Sequence, residues 1–313
     1  MNIQERVQVK NLIVSPLKTI VMERINWSGW RIYTTTDTFK PYSGITGALA
    51  ASTFKGNRES KRLAKWRDGM VEQLGSLKAQ EAYVDSMADF GTACHEAIVR
   101  IWENKGLDWK FEQQYAYDYF LMSDKMNNIP FHDGVIRQRV FEYCKSVAAI
   151  MQFIFDEVEE IYAVESMCLD DELCIATPVD IVCKLKRKGN PIVTINLKTS
   201  EQLSDSHRTQ VVMEKYLWNK TYPECQASGT ALLRPKNWSL KKKPTYEFEI
   251  VDESCLEGTL KRLELCKNDP ESTYLSFPKD TLEFVGETKI GDAPVFKVKT
   301  LEEILREGKE VKQ

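Results

Sequence analysis

The chain has 313 residues, of which 42% are hydrophobic, 10% aromatic and 28% charged, with a formal charge of −3. So high an apolar content at so small a net charge excludes disorder as the main state, and a uniformly basic, histone-like coat is excluded as well. A membrane span is not expected either, because no run of about 18 apolar residues is present.

In chain order, Leu12–Val14, Thr19–Met22 and Trp30–Tyr33 are short β-type runs among turn residues, so strands are expected over 7–34. Pro41 and Gly44 open a new segment. Apolar residues recur at helical spacing from Ser60 to about Leu77 and from Gln80 to Lys105, with Gly106 placed as the stop of the second helix. Residues 111–134, rich in Tyr, Asp and Asn and containing Pro130 and Gly134, read as an irregular connection. A long helix follows from about Val135 to Glu160.

The period then changes from 3.6 to 2. Ile161–Leu169, Leu173–Leu185 and Pro191–Lys198 read as strands, with a hairpin turn at Lys188-Gly189-Asn190 between the last two. Ser204–Lys220 reads as a helix, Thr230–Arg234 and Tyr246–Val251 as strands, and Ser254–Lys267 as a helix. The tail from Tyr274 carries short strands and a final charged helix, Leu301–Gly308. This order implies an α/β domain with a mixed sheet flanked by helices. The eight cysteines include no Cys-x-x-Cys pair and no zinc or iron–sulfur spacing. Reduced thiols are expected, and with a polar start at Met1–Lys10 that lacks an apolar signal core they point to a cytoplasmic protein.

The stretch that carries chemistry is Thr177-Pro178-Val179-Asp180, then a hairpin, then Ile195-Asn196-Leu197-Lys198-Thr199-Ser200. Alternation puts Asn196 and Lys198 on one face and Ile195 and Leu197 in the core, and the hairpin brings Asp180 alongside Asn196. An Asp, a second oxygen ligand and a Lys on one face can hold Mg²⁺ and orient a water. The plain alternative is an edge hairpin with a solvated polar face. His95, within Gly91-Thr92-Ala93-Cys94-His95-Glu96, shares a helix face with Ala88, Thr92, Ile98, Val99 and Trp102. Read alone, it is more simply a hydrogen-bonded core histidine than a ligand. Gln210 lies on the following helix with Met213, Glu214 and Leu217 on its side.

Three basic clusters interrupt the acidic average. Lys55, Arg58, Lys61, Arg62, Lys65 and Arg67 surround Trp66. Lys184, Lys186, Arg187 and Lys188 fall at the hairpin, expected close to the site. Trp238, Lys241, Lys242 and Lys243 follow Arg234 and Lys236. Basic residues interleaved with aromatics suit single-stranded nucleic acid, although any one cluster also fits an ordinary solvated surface.

Taken in order, these segments resemble the RecB-like branch of the PD-(D/E)XK nucleases, in particular the phage and mitochondrial genome maintenance exonuclease group. The resemblance covers roughly residues 30–270. Arg31-Ile32-Tyr33 with Tyr42-Ser43-Gly44-Ile45-Thr46 is similar to that group's Arg-x-Tyr strand and following turn. Leu63–Arg67 resembles its Trp-Arg helix, and Gly91-Thr92 through His95 its Gly-Thr-x-x-His motif. Asp180 and Asn196–Ser200 fall where its Asp and Asp-x-Lys-Thr-Ser residues belong.

The resemblance implies a restriction-endonuclease-like core with a helical insertion. It divides the chain into a nuclease domain over 1–272, with strands in 1–40, a helical region in 41–160 and the catalytic core in 161–272, and an appendage over 273–313. The implied activity is a Mg²⁺- or Mn²⁺-dependent exonuclease on single-stranded DNA ends, in replication, recombination or repair, in the cytoplasm of a phage-infected bacterium. His95, Asp180 and residue 196 would hold metal, Lys198 and Gln210 would assist, and Glu165 would be an auxiliary acid. It also implies that the 55–67 cluster arches over the strand.

Three departures qualify it: Asn196 replaces an Asp or Glu, Thr177 replaces a Gly, and Glu214 occupies a Tyr position. Asn196 removes one charge opposite a divalent cation, and three readings follow: a naturally weakened or inactive site, an inactivating Asp→Asn substitution made to trap a complex, or a carboxylate supplied by Glu165, Glu214 or Asp205. An inactive chain should regain cleavage in Asn196→Asp. Two further readings stand beside the nuclease: a nuclease-fold protein that binds nucleic acid or a processing complex without cutting, and an interaction protein that docks a partner through residues 274–313.

Overall fold

A computed structural model describes residues 6–8, 20, 22–27, 30–35, 40–52, 61–123, 128–129, 132–236, 242–269 and 298–300. Strands β1 (Arg6–Gln8), β2 (Met22–Trp27), β3 (Trp30–Thr35) and β4 (Pro41–Gly44) lead into helix α1 (Ile45–Ala51). The helical part consists of α2 (Lys61–Leu74), α3 (Leu77–Asn104), α4 (Trp109–Met122) and α5 (His132–Glu157), with the short β5 (Gly106–Asp108) before α4. Then come β6 (Val158–Asp170), β7 (Ile175–Leu185), β8 (Ile192–Leu197), α6 (Asp205–Thr221), β9 (Gly229–Lys236), β10 (Thr245–Ile250), α7 (Leu256–Asn268) and β11 (Val298–Thr300).

Local chemistry accounts for most of these boundaries. The Ser76 side chain accepts a hydrogen bond from the Ala79 amide and starts α3. Ser204 and His207 exchange bonds across the first turn of α6. Gly189 and Asn190 both take positive φ at the tip between β7 and β8, as a tight hairpin requires. Two sequence expectations are corrected. Helix α3 ends on Lys105 in the left-handed conformation, and Gly106 already belongs to β5. The expected irregular connection begins as helix α4. Asp108 caps it through the amides of Lys110 and Phe111, and Ala116 and Phe120 face the core at helical spacing. Its tyrosines, which weighed towards a loop, are stacked on a helix face: the Tyr115 and Tyr119 rings lie 5.6 Å apart.

Among the described residues the main sheet has nine strands and mixes parallel with antiparallel pairs, in the order β10-β9-β8-β7-β4-β3-β2-β11, with β6 also on β7. Helices cover both faces. Phe90, Ile98, Tyr143, Ile150 and Phe153 from α3 and α5 pack on Ile181, Val193, Ile195 and Leu233. On the opposite side, Ile45, Met213, Leu217, Trp218 and Leu263 from α1, α6 and α7 pack on Val179 and Val182. Three residues of the expected C-terminal appendage belong to this sheet, since β11 runs parallel to β2 at its edge. All eight cysteines are free. No helix of the described residues is long and apolar enough to cross a membrane.

One feature of the register positions the site. Strand β6 pairs with β7 from Ile175 to Leu185, occupying one edge of β7 along its length. The other edge is shared: β4 pairs with Ile175 and Ala176, and β8 with Ile181 to Lys184. The sheet therefore forks at residues 177–180. Pro178 falls in this stretch, where a missing ladder donor costs least, and Asp180 stands at its mouth.

Candidate metal centre at the sheet fork

Asp180 is 5% exposed. Its Oδ2 accepts the Leu197 amide N–H at 2.6 Å, so the carboxylate takes over where the β7–β8 ladder stops. Its Oδ1 lies 3.5 Å from Nδ1 of His95. Glu165 on β6 lies between Val164 and Ser166, whose partners Ile181 and Val179 flank Asp180. Its backbone is left-handed (φ 46°), which is uncommon for a residue other than glycine. Its carboxylate bonds His95 Nδ1 at 2.8 Å. His95, Glu165 and Asp180 bring one ligand atom each within 4.8 Å of one another, as a metal site requires.

His95 is part-buried and hydrogen-bonded, as the plain reading has it, but its partner is Glu165. The histidine sits at the flank of the buried face of α3 formed by Cys94, Ala97, Ile98 and Ile101, and its side chain stays 30% exposed. Burial alone would lower its pKa, but the Asp180 charge and the bond to Glu165 outweigh that and raise it to about 9. Burial raises Asp180 to about 6, against the pull of His95 and Lys198.

Asn196 and Lys198 do share a face, and that face is covered by α6. Asn196 is 3% exposed, so the solvated-hairpin alternative fails for it. Its Nδ2 donates to both Glu214 oxygens at 2.9 and 3.0 Å. Gln210 Nε2 also donates to Glu214, at 2.8 Å, and Lys198 Nζ donates to Gln210 Oε1 at 3.0 Å. A continuous chain thus runs from Lys198 through Gln210 and Glu214 to Asn196. Burial first and the Asp180 charge second raise Glu214 to about 8, against Lys198 and the two amide donors. Asn196 Oδ1 is buried with no hydrogen-bond partner, which costs about 1–3 kcal/mol unless a donor or a cation meets it.

The structure thus brings together six expected residues: His95, Glu165, Asp180, Asn196, Lys198 and Gln210. Glu214, in the sequence a departure from the family pattern and one of three residues able to supply the missing carboxylate, joins them, four residues after Gln210 on the same helix.

The basic clusters fare differently. Lys65 and Trp66 are exposed on α2 and Arg67 is half-buried beside Asp68, 3.6 Å away. Arg58, Trp238 and Lys241 lie outside the described residues, as does the side chain of Arg62. The hairpin cluster is corrected. Lys186 is six residues beyond Asp180 along β7, about 20 Å at strand rise, at the end opposite Lys198. Its members are also engaged with the end of α5: Lys186 with the Phe155 carbonyl at 2.6 Å, and Arg187 with Glu157 at 2.8 Å and over the Phe248 ring at 4.9 Å. Lys188 is exposed at the same tip.

In comparison with known proteins, no family model and no curated protein matches the chain.

Proposed function

We propose that this protein is a divalent-metal-dependent nuclease of the RecB-like PD-(D/E)XK type, with a restriction-endonuclease-like core, that hydrolyses phosphodiesters at single-stranded DNA ends. The observation that carries the reading is the convergence of His95, Glu165 and Asp180 at the sheet fork, with Lys198 acting electrostatically on His95 and Asp180.

The residues fit a hard divalent cation. Two carboxylates supply charge, and the unpartnered Asn196 Oδ1 is a buried neutral oxygen ready to accept one. Mn²⁺ suits the imidazole better than Mg²⁺ does. Asn196 is not simply a lost charge: its amide N–H group is anchored on Glu214, so the carboxylate missing from β8 stands one side chain back, on α6. When bound, the cation supplies Lewis-acid stabilisation of phosphate charge. The chain's own part is to hold Lys198 in place through Gln210 so that its ammonium meets charge developing on the phosphate.

The test is shortening of end-labelled single-stranded DNA in Mg²⁺ or Mn²⁺. Cleavage that EDTA abolishes and Lys198→Ala lowers by about 100-fold is the expected result. A Lys198→Ala variant as fast as the parent would remove the site assignment. A second reading, a nuclease-fold protein that binds DNA without cutting, is favoured by the neutral amide at 196. Salt-sensitive DNA binding with neither cleavage nor Mn²⁺ binding would establish it instead.

A further inference from the structure

Strands β2 and β3 present an unusual pair of charges. Arg24 is register partner to Tyr33, and Asn26 to Arg31. Partners across an antiparallel pair share a face, and so do residues two apart on one strand. Arg24, Tyr33 and Arg31 therefore form one group on one face. Arg31 is exposed and Arg24 half-buried, and Tyr33 packs beneath them with Met22, Tyr42 and Met167.

Among the described residues no carboxylate is paired with either cation. Arg24 Nε is buried without a hydrogen-bond partner, and neither arginine has an ion pair among the described residues. Burial and then the neighbouring Arg31 lower the Arg24 pKa, so the two guanidinium groups stand close enough to repel. The acid that does act on Arg24 is Glu165, and Glu165 is bonded to His95. The space next to the pair is kept clear as well. Gly44 lies beside Arg31, and a side chain there would meet Arg31 Cβ at 3.2 Å and Tyr33 Cε2 at 3.5 Å.

Two like charges held together, one with a desolvated donor, call for an anion; planar guanidinium forks match phosphate oxygens, and a strand base holds them rigidly. We propose that Arg24 and Arg31, flanking Tyr33, form a phosphate-binding site across Glu165 from the His95–Asp180 cluster. On the nuclease reading, on which the proposal rests, the ligand is a phosphate of the bound strand, either a terminal monoester or an internal diester.

The experiment is fluorescence anisotropy in EDTA, with the full chain and its Arg24→Gln and Arg31→Gln variants. The probes are 5′-phosphorylated, 3′-phosphorylated, unphosphorylated and circular single-stranded DNA. Each variant should bind about tenfold more weakly, with a salt slope smaller by about one. Loss confined to an end-phosphorylated probe assigns the terminal phosphate; equal loss on circular DNA assigns the internal one. Unchanged affinity and salt slope in Arg31→Gln, whose exposed position leaves folding intact, would overturn the proposal. The nuclease reading fails separately. If the parent shows no metal-dependent cleavage while both arginines still set phosphate affinity, the nuclease reading falls and the phosphate site stands.

Discussion

At position 196, a neutral amide is anchored on the buried Glu214 through both of its oxygens, and on the proposed reading the two together take the place of one strand carboxylate. Asn196→Asp by itself would remove the amide donor that meets Glu214 at 2.9 Å and leave two buried acids that can pair only by sharing a proton. The single substitution is therefore expected to lower stability and leave cleavage no faster. Asn196→Asp with Glu214→Gln, which reverses the donor and acceptor, should recover both. Calorimetric Mn²⁺ titration and thermal melts of the two variants check this, and a single variant that outperforms the double would refute the pairing. His95 provides a second test. Ligation requires its neutral form and an ionised Asp180. Since their pKa values stand at about 9 and about 6, Mn²⁺ affinity should rise with pH throughout that window. The slope is at most about tenfold per unit above pH 7, with one proton released per ion bound. His95→Gln should flatten the slope, and an affinity independent of pH in the parent would refute the ligation.

At the scale of elements, α3, which carries His95, is held in place by a buried network. Arg100 donates to both Glu112 oxygens at 3.0 and 2.9 Å and to Tyr143 at 2.8 Å, and lies 3.8 Å over the Tyr115 ring. Tyr143 also donates to Glu112. These bonds tie α3, α4 and α5 together at one point. Glu112→Ala would take away the buried carboxylate and leave the guanidinium the more exposed Glu96 at 3.6 Å, at a cost of about 3 kcal/mol in urea unfolding. Glu112→Gln should cost less, because one acceptor oxygen remains. Equal stability of all three proteins would show that the network holds nothing. In helix α4 position outweighs composition: Asp108 acts as a cap, and the tyrosines that suit a loop by composition lie i, i+4 along one face.

At the scale of the whole molecule, the sheet gains an edge strand from far along the chain. Val298–Thr300 pairs in parallel with Arg24–Asn26, next to the proposed phosphate site. Ending the chain at Asp269 should expose β2 as an unpaired edge and cause concentration-dependent association, measured by light scattering alongside the urea midpoint. A truncated chain that stays monomeric with the parent's midpoint would show that β11 adds nothing to the fold.

What the sequence determined by itself was local. The periodicities, the helix start at Ser204, the Gly189-Asn190 turn and the order His95, Asp180, Asn196, Lys198 could all be read because each depends on neighbours within a turn or a strand. The tertiary structure alone decided that β7 forks at Asp180, that a left-handed Glu165 reaches His95 across 70 positions, and that Glu214 rather than solvent faces Asn196. It also decided that the basic hairpin points away from the site. Each of these depends on the register of strands and on the helix packed against them, which follow from burial across the whole sheet and leave no mark on adjacent residues.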